Sequence, residues 1–211
     1  MKTELKQAAL LVIDMQADFV RSGPLAVPGA AELAVRLSPL VDRWRASGRP
    51  VVFVRHALQG PDAGPLAELA PVRTGQVLRE GSAGSQVVDE LAPQPGDLVV
   101  TKRRFSAFLG TDLDLLLRSM GKTAVVIAGA ATHVCCDTTA RDAAQLGYDV
   151  VVLSDGTVMG DLPDVGFGPF PADLVQRVVL SILARRFGDV CTTTELLATL
   201  DQSVSGSGGS G

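Results

Sequence analysis

Five short apolar runs constrain this chain more than any other feature: AALLVID (8–14), PVVFVRH (50–56), DLVVTK (97–102), TAVVIAG (123–129) and YDVVVLSD (148–155). Each is too short for a typical core helix, is rich in valine or leucine, and shows little polar alternation. That pattern predicts strands buried on both faces. Helical patterns lie between most of them. Leu33, Leu37, Val41 and Trp44 recur on one face of residues 30–47, with Pro39 predicted to kink or divide the helix. Thr111 and Asp114 have the spacing of a capped start, and Gly121 a stop. Residues 134–147 end at Gly147, and residues 172–187 end before Gly188. Thr192 with Glu195 has capping-box spacing. Strands alternating with helices imply a parallel sheet covered on both faces. Right-handed crossovers then favour an open, doubly wound α/β/α sandwich.

The 211 residues, 46% of them hydrophobic, suffice for one well-cored domain, assigned to residues 1–202. Residues 203–211, rich in Ser and Gly, read as an appended flexible linker. A net charge of −4 without a basic stripe argues against nucleic acid and against an anionic membrane surface. No segment reaches about eighteen uninterrupted apolar residues, so no membrane span is expected. The N-terminal segment lacks the pattern of a secretory signal, which predicts a cytoplasmic protein. Three cysteines, two of them adjacent, do not form a disulfide framework. Two segments read as lids or binding loops: 58–85, and 158–171 with Phe167 and Phe170.

In open α/β sheets, ligands bind outside the carboxyl ends of the strands. Asp14 ends the first apolar run, His56 the second, Lys102 the third and Asp155 the fifth, while Cys135 follows the fourth where a helical pattern begins. A thiol at a helix N-terminus is expected to ionise below its usual range and to alkylate rapidly near pH 6. The rival reading is a small buried hydrophobe. Asp14, Lys102 and Cys135 together point to chemistry. Lys102 would stabilise the thiolate and the carboxylate, Asp14 would carry protons, and Cys135 would attack a carbonyl to give a thioester. Backbone N–H groups at the start of the 134–147 helix would hold the oxyanion.

The blocks LLVIDMQADF (11–20), TKRRFSAF (101–108) and GAATHVCCDTTARDAAQLGYDVVVLSD (129–155) resemble the signature blocks of the isochorismatase-like cysteine hydrolases, in the same order. The resemblance spans about residues 8–200. It implies a three-layer α/β/α sandwich with a mainly parallel six-stranded sheet in the order 3-2-1-4-5-6, and a homodimer or higher oligomer. It places the triad on Asp14, Lys102 and Cys135, and leaves Cys136 to packing. It also implies a cis peptide at Ala130–Ala131, which would direct the Ala131 N–H, with that of Cys135, into an oxyanion hole.

Nicotinamidases of this family bind zinc through Asp-x-His after strand two. Here that stretch is Val54, Arg55, His56, so the aspartate is missing, and the only other histidine is His133. No metal or cofactor is therefore expected. Isochorismatases cleave a vinyl ether without a thiol, so Cys135 favours amide chemistry. The expected substrate is a small amide, ureido, carbamoyl or lactam compound. Phe19, His56, Phe105, Phe108 and Phe167 are the expected substrate contacts. Arg55, Arg103 and Arg104 are candidates for a substrate carboxylate. The rival readings are an isochorismatase-type enzyme, a catalytically silent ligand-binding homologue, and a nucleotide module using REGSAGS (79–85), which matches no phosphate-loop spacing.

Overall fold

The structure is a computed structural model that describes Thr3, residues 5–62 and residues 64–205. Six strands form one sheet: β1 (Ala8–Ile13), β2 (Val51–His56), β3 (Leu98–Lys102), β4 (Ala124–Ala130), β5 (Asp149–Val158) and β6 (Asp189–Cys191). Their order is β3-β2-β1-β4-β5-β6, as expected, and all five pairings are parallel. No apolar run of its own announces β6. It is three residues long and is held by Val151–Leu153 of β5.

The helices are α1 (Ala17–Val20), α2 (Ala30–Ala46), α3 (Ala70–Arg73), α4 (Leu113–Ser119), α5 (Asp137–Gln145), α6 (Ala172–Arg186) and α7 (Thr193–Ser205). Among the described residues, none is long and apolar enough to cross a membrane. Alternation along β1 explains the layers. Ala8, Leu10 and Val12 pack with α2 and α7 residues such as Leu37, Trp44, Leu196 and Leu200. Ala9, Leu11 and Ile13 pack on the other face with Leu113, Leu117, Ala140, Ala143 and Leu183 of α4, α5 and α6. Each fully buried leucine or valine contributes about 1.5–3 kcal/mol relative to exposure.

Three local expectations change. Helix α2 runs unbroken through Pro39, because that residue lies on the solvent side, where water can meet the carbonyl the ring leaves unpaired. Thr192 and Glu195 do form the reciprocal cap of α7, with Thr192 N–H to Glu195 Oε2 at 2.7 Å and Glu195 N–H to Thr192 Oγ1 at 3.2 Å. The helix they start continues to Ser205, past the boundary expected at 202, and the rest of the Ser/Gly tail lies outside the described residues. The 58–85 connection is also less irregular than its sequence suggests. It contains α3, and Leu58, Val72, Val77 and Leu78 give it a small core of its own, packed with Phe19, Leu25 and Leu66. In its glycine-rich part, 79–85, a Cβ at Gly84 would collide with the Asp18 carboxylate, so this glycine serves close packing on α1.

Candidate active site

The carboxyl ends of β1, β2 and β3 deliver three polar side chains to one place. Register aligns His56 with Lys102, and Ile13 with Val54. His56 and Lys102 therefore continue the face of Val54 and Val100, which is the α4/α5/α6 side. Simple alternation would send Asp14, the residue after Ile13, to the opposite side. Asp14 instead has φ of 54°, in the left-handed region, where aspartate is one of the tolerated residues. Its carboxylate thereby joins Lys102, at 2.9 Å from Nζ to Oδ2.

Cys135 arrives from the turn after β4. Gly129 has φ of 125°, and a Cβ there would strike the Ile13 carbonyl, so only glycine lets β4 pass this close to β1. The expected cis peptide at Ala130–Ala131 follows. Thr132–Cys136 then forms a single π-helical turn before α5, which differs from the continuous helix expected from residue 134. Such turns recur at functional sites. It sets Cys135 Sγ 3.3 Å from Lys102 Nζ.

Lys102 is the hub. Besides Asp14 and Cys135, its ammonium donates to the Arg104 carbonyl at 3.1 Å and meets His56 Nδ1 at 3.2 Å. Burial would pull this lysine down, but the Asp14 carboxylate above all, with the contact to Cys135, outweighs it and holds the group above its ordinary value. Burial first, then the neighbouring Lys102 cation, lower His56 to about 4. His56 is therefore neutral, its Nδ1 accepts from Lys102, and the proton lies on Nε2, which has no partner among the described residues.

The expectation of an acidified thiol is overturned. Burial raises Cys135 well above the usual thiol range, Asp14 adds to the rise, and Lys102 only partly opposes it. One buried cation already neutralises Asp14, so a resting thiolate would be a second, uncompensated buried anion. Cys136 is fully buried among the α5 side of the core and serves packing.

A cavity of about 150 Å³ opens beside the thiol, lined among others by Asp14, Phe19, His56, Phe105, Ala131 and Cys135. Two expected contacts lie elsewhere. Phe108 packs in the core against Tyr148, with ring centroids 5.6 Å apart. Phe167 is 83% exposed on the 158–171 loop. The three arginines are engaged: Arg55 with Gln86 and Thr101, Arg103 with Gln59, and Arg104 with Asp62. Among the described residues, only Asp14, His56 and Cys135 form a cluster of three groups able to hold a metal, and the Lys102 ammonium already contacts all three.

Gln16 was not anticipated, although it sits two residues after Asp14 in the block 11–20. It is fully buried, accepts from the His56 N–H at 2.6 Å, and donates to the His56 and Ser85 carbonyls at 2.9 Å each. It thus ties β2 to the 58–85 connection. Asp18 ties α1 to the same connection by accepting from the Leu78 N–H at 2.7 Å. Leu25, Val27, Leu66, Leu69 and Val134 complete the apolar lining, and no local sequence signal distinguishes them from ordinary core.

Comparison with known proteins agrees with this geometry. The Isochorismatase domain family matches residues 8–197. The secreted isochorismatase effector Isc1 of Verticillium dahliae is 31% identical, over 90% of each chain. Ureidoacrylate amidohydrolase RutB of Pseudomonas savastanoi pv. phaseolicola is 34% identical, covering 89% of this chain and 83% of its own. The crystal structure of a cysteine hydrolase from Pseudomonas syringae pv. phaseolicola 1448A superposes with a TM-score of 0.90 at 35% identity, over 96% of each chain. The chain is a hydrolase of the isochorismatase-like cysteine hydrolase family.

Proposed function

We propose that this protein is a cysteine amidohydrolase that cleaves a C–N bond of a small amide-type substrate through a thioester on Cys135. The carrying observation is the buried trio: the Lys102 ammonium lies 2.9 Å from Asp14 and 3.3 Å from Cys135, at the wall of a small apolar pocket. The similarity to an enzyme named ureidoacrylate amidohydrolase supports the C–N specificity.

The chemistry follows from the charges. Resting Cys135 is a neutral thiol, and Asp14 is the adjacent base, with ligand atoms of the two within 4.8 Å. As sulfur attacks the substrate carbonyl, the thiol proton passes to Asp14. The C–S bond forms, and the backbone N–H groups of Ala131 and Cys135 receive the developing oxyanion. Asp14 then protonates the leaving nitrogen as the C–N bond breaks. Water attacks the thioester, gives a proton to Asp14, and expels the sulfur, which recovers that proton as the acid product leaves. Lys102 keeps its proton throughout and balances the charge on Asp14. His56 offers its Nε2–H to a substrate oxygen.

The test is ammonia release from a panel of simple amides, ureido acids, carbamoyl amino acids, biuret and lactams, with intact-mass analysis of quenched reactions. An acyl adduct on Cys135 is expected, absent from Cys135→Ala. Turnover retained by Cys135→Ala defeats the proposal.

A further inference from the structure

We infer that the acyl side of the substrate is small, apolar and uncharged: the cavity is built for a neutral aliphatic or aromatic amide, not for one carrying a carboxylate. The inference deepens the amidohydrolase reading and rests on it for the word amide.

Three observations carry it. First, the lining away from the thiol is Phe19, Leu25, Val27, Leu66, Leu69 and Phe105, so an acyl group entering there meets only hydrocarbon. Second, no cation is available. None of the described residues lining the cavity is Arg or Lys, and Arg55, Arg103 and Arg104 are bound to other side chains. Lys102 has three N–H donors and four contacts, with Asp14, Cys135, His56 and Arg104, so none is left for a ligand. Third, the one charged group among the described lining residues is Asp14, an anion already paired with Lys102, so the wall presents no net positive charge to an entering carboxylate. A carboxylate entering this space would lose its water without gaining a partner. Apart from the Ala131 and Cys135 N–H groups, which the scissile carbonyl takes, the unpartnered side-chain donor among the described lining residues is His56 Nε2–H, which suits one neutral carbonyl oxygen. The volume of about 150 Å³ is well below the roughly 300–1,000 Å³ of sites that take larger ligands.

Two isosteres separate the charge from the shape: 4-methylpentanamide, with a terminal isopropyl group, and succinamate, with a carboxylate in its place. Wild-type kcat/KM, read as ammonia release, is expected to favour the neutral amide by a hundredfold or more. Equal rates, or a preference for succinamate, overturn the inference while leaving the amidohydrolase reading intact. Calorimetric titration of Cys135→Ala with both compounds makes the two readings independent. If neither amide is cleaved, yet the variant binds 4-methylpentanamide at least tenfold more tightly than succinamate, the pocket assignment stands and the amidohydrolase reading fails. No binding of 4-methylpentanamide, or equal binding of the two, overturns the assignment whatever the turnover. Leu69→Arg, at the partly exposed rim, is expected to narrow the neutral preference at least tenfold by supplying the missing cation; an unchanged ratio in a folded variant also counts against it.

Discussion

Lys102 Nζ lies 2.9 Å from Asp14 Oδ2, although β2 separates their strands and two strand spacings amount to about 9.6 Å. The lysine side chain spans the gap past His56, and the left-handed backbone of Asp14 turns its carboxylate to meet it. Both side chains are out of contact with water. Removing one partner strands the other charge. Lys102→Met should therefore destabilise the fold by about 3–5 kcal/mol, and Asp14→Asn/Lys102→Met should recover part of that loss. Chemical denaturation of both single variants and the double variant checks the cycle. Strict additivity would mean that the pair is not coupled.

The thiol should behave as a buried acid. Because burial raises Cys135, iodoacetamide at pH 7 is expected to label it more slowly than free glutathione, with a rate still rising above pH 9. Peptide mapping of labelled wild type and Cys135→Ala assigns the signal. Rapid labelling at pH 6 would instead show a resting thiolate.

His56 makes stability depend on acid. Its folded value is about 4 against an ordinary value of 6.5, so between these limits the unfolded chain binds the extra proton. Stability is thus intact above about pH 6.5 and falls as the pH drops towards 4, by on the order of 3 kcal/mol from this group. His133, also lowered by burial, adds to the same trend. The Tm of wild type should decline over this window, and that of His56→Gln should decline less. Parallel curves would remove His56 as the cause.

Gln16 should couple the triad to its cover. Gln16→Leu leaves the His56 N–H and the His56 and Ser85 carbonyls without partners, at about 1–3 kcal/mol for each group left unpaired. Hydrogen exchange over residues 79–86 is expected to accelerate, and KM to rise more than kcat falls. Unaltered exchange in that segment would show that the connection is held by other contacts.

The solvent side of α6 bears on the oligomer implied by the resemblance. Val178 is 48% exposed, Ile182 is 42% exposed, and Leu183 is the only fully buried residue of that helix. Spaced i,i+4, the two side chains lie next to each other on one helix face, and it is contiguous apolar surface that marks contact with another chain. We propose that this face joins two copies of the protein. Light scattering should find a dimer or larger species for wild type, and a smaller one for Val178→Glu/Ile182→Glu. A monomeric wild type ends the proposal.

The five short apolar runs determined most of the architecture, because a parallel strand buried on both faces leaves a period-free apolar signature that survives without tertiary information. Asp14, Lys102 and Cys135 were also legible, since strand ends and turns carry their own residue types, whereas the need for glycine at 129 showed only in its approach to Ile13. The short β6 was not, because three residues have no periodicity and the strand exists only through pairing with β5. Nor could local sequence separate Phe105, which reaches the cavity, from Phe108, which fills the core. An aromatic ring satisfies the same burial in either place, and only packing chooses. The thiol is the clearest case. Sequence put Cys135 at a helix start and predicted an acidic group, but its ionisation depends on how many charges and how much water surround it. Those are three-dimensional quantities, and the fold supplies one cation for two potential anions in a dry pocket. The clustered residues were written in the chain; the charge each carries there is set by burial.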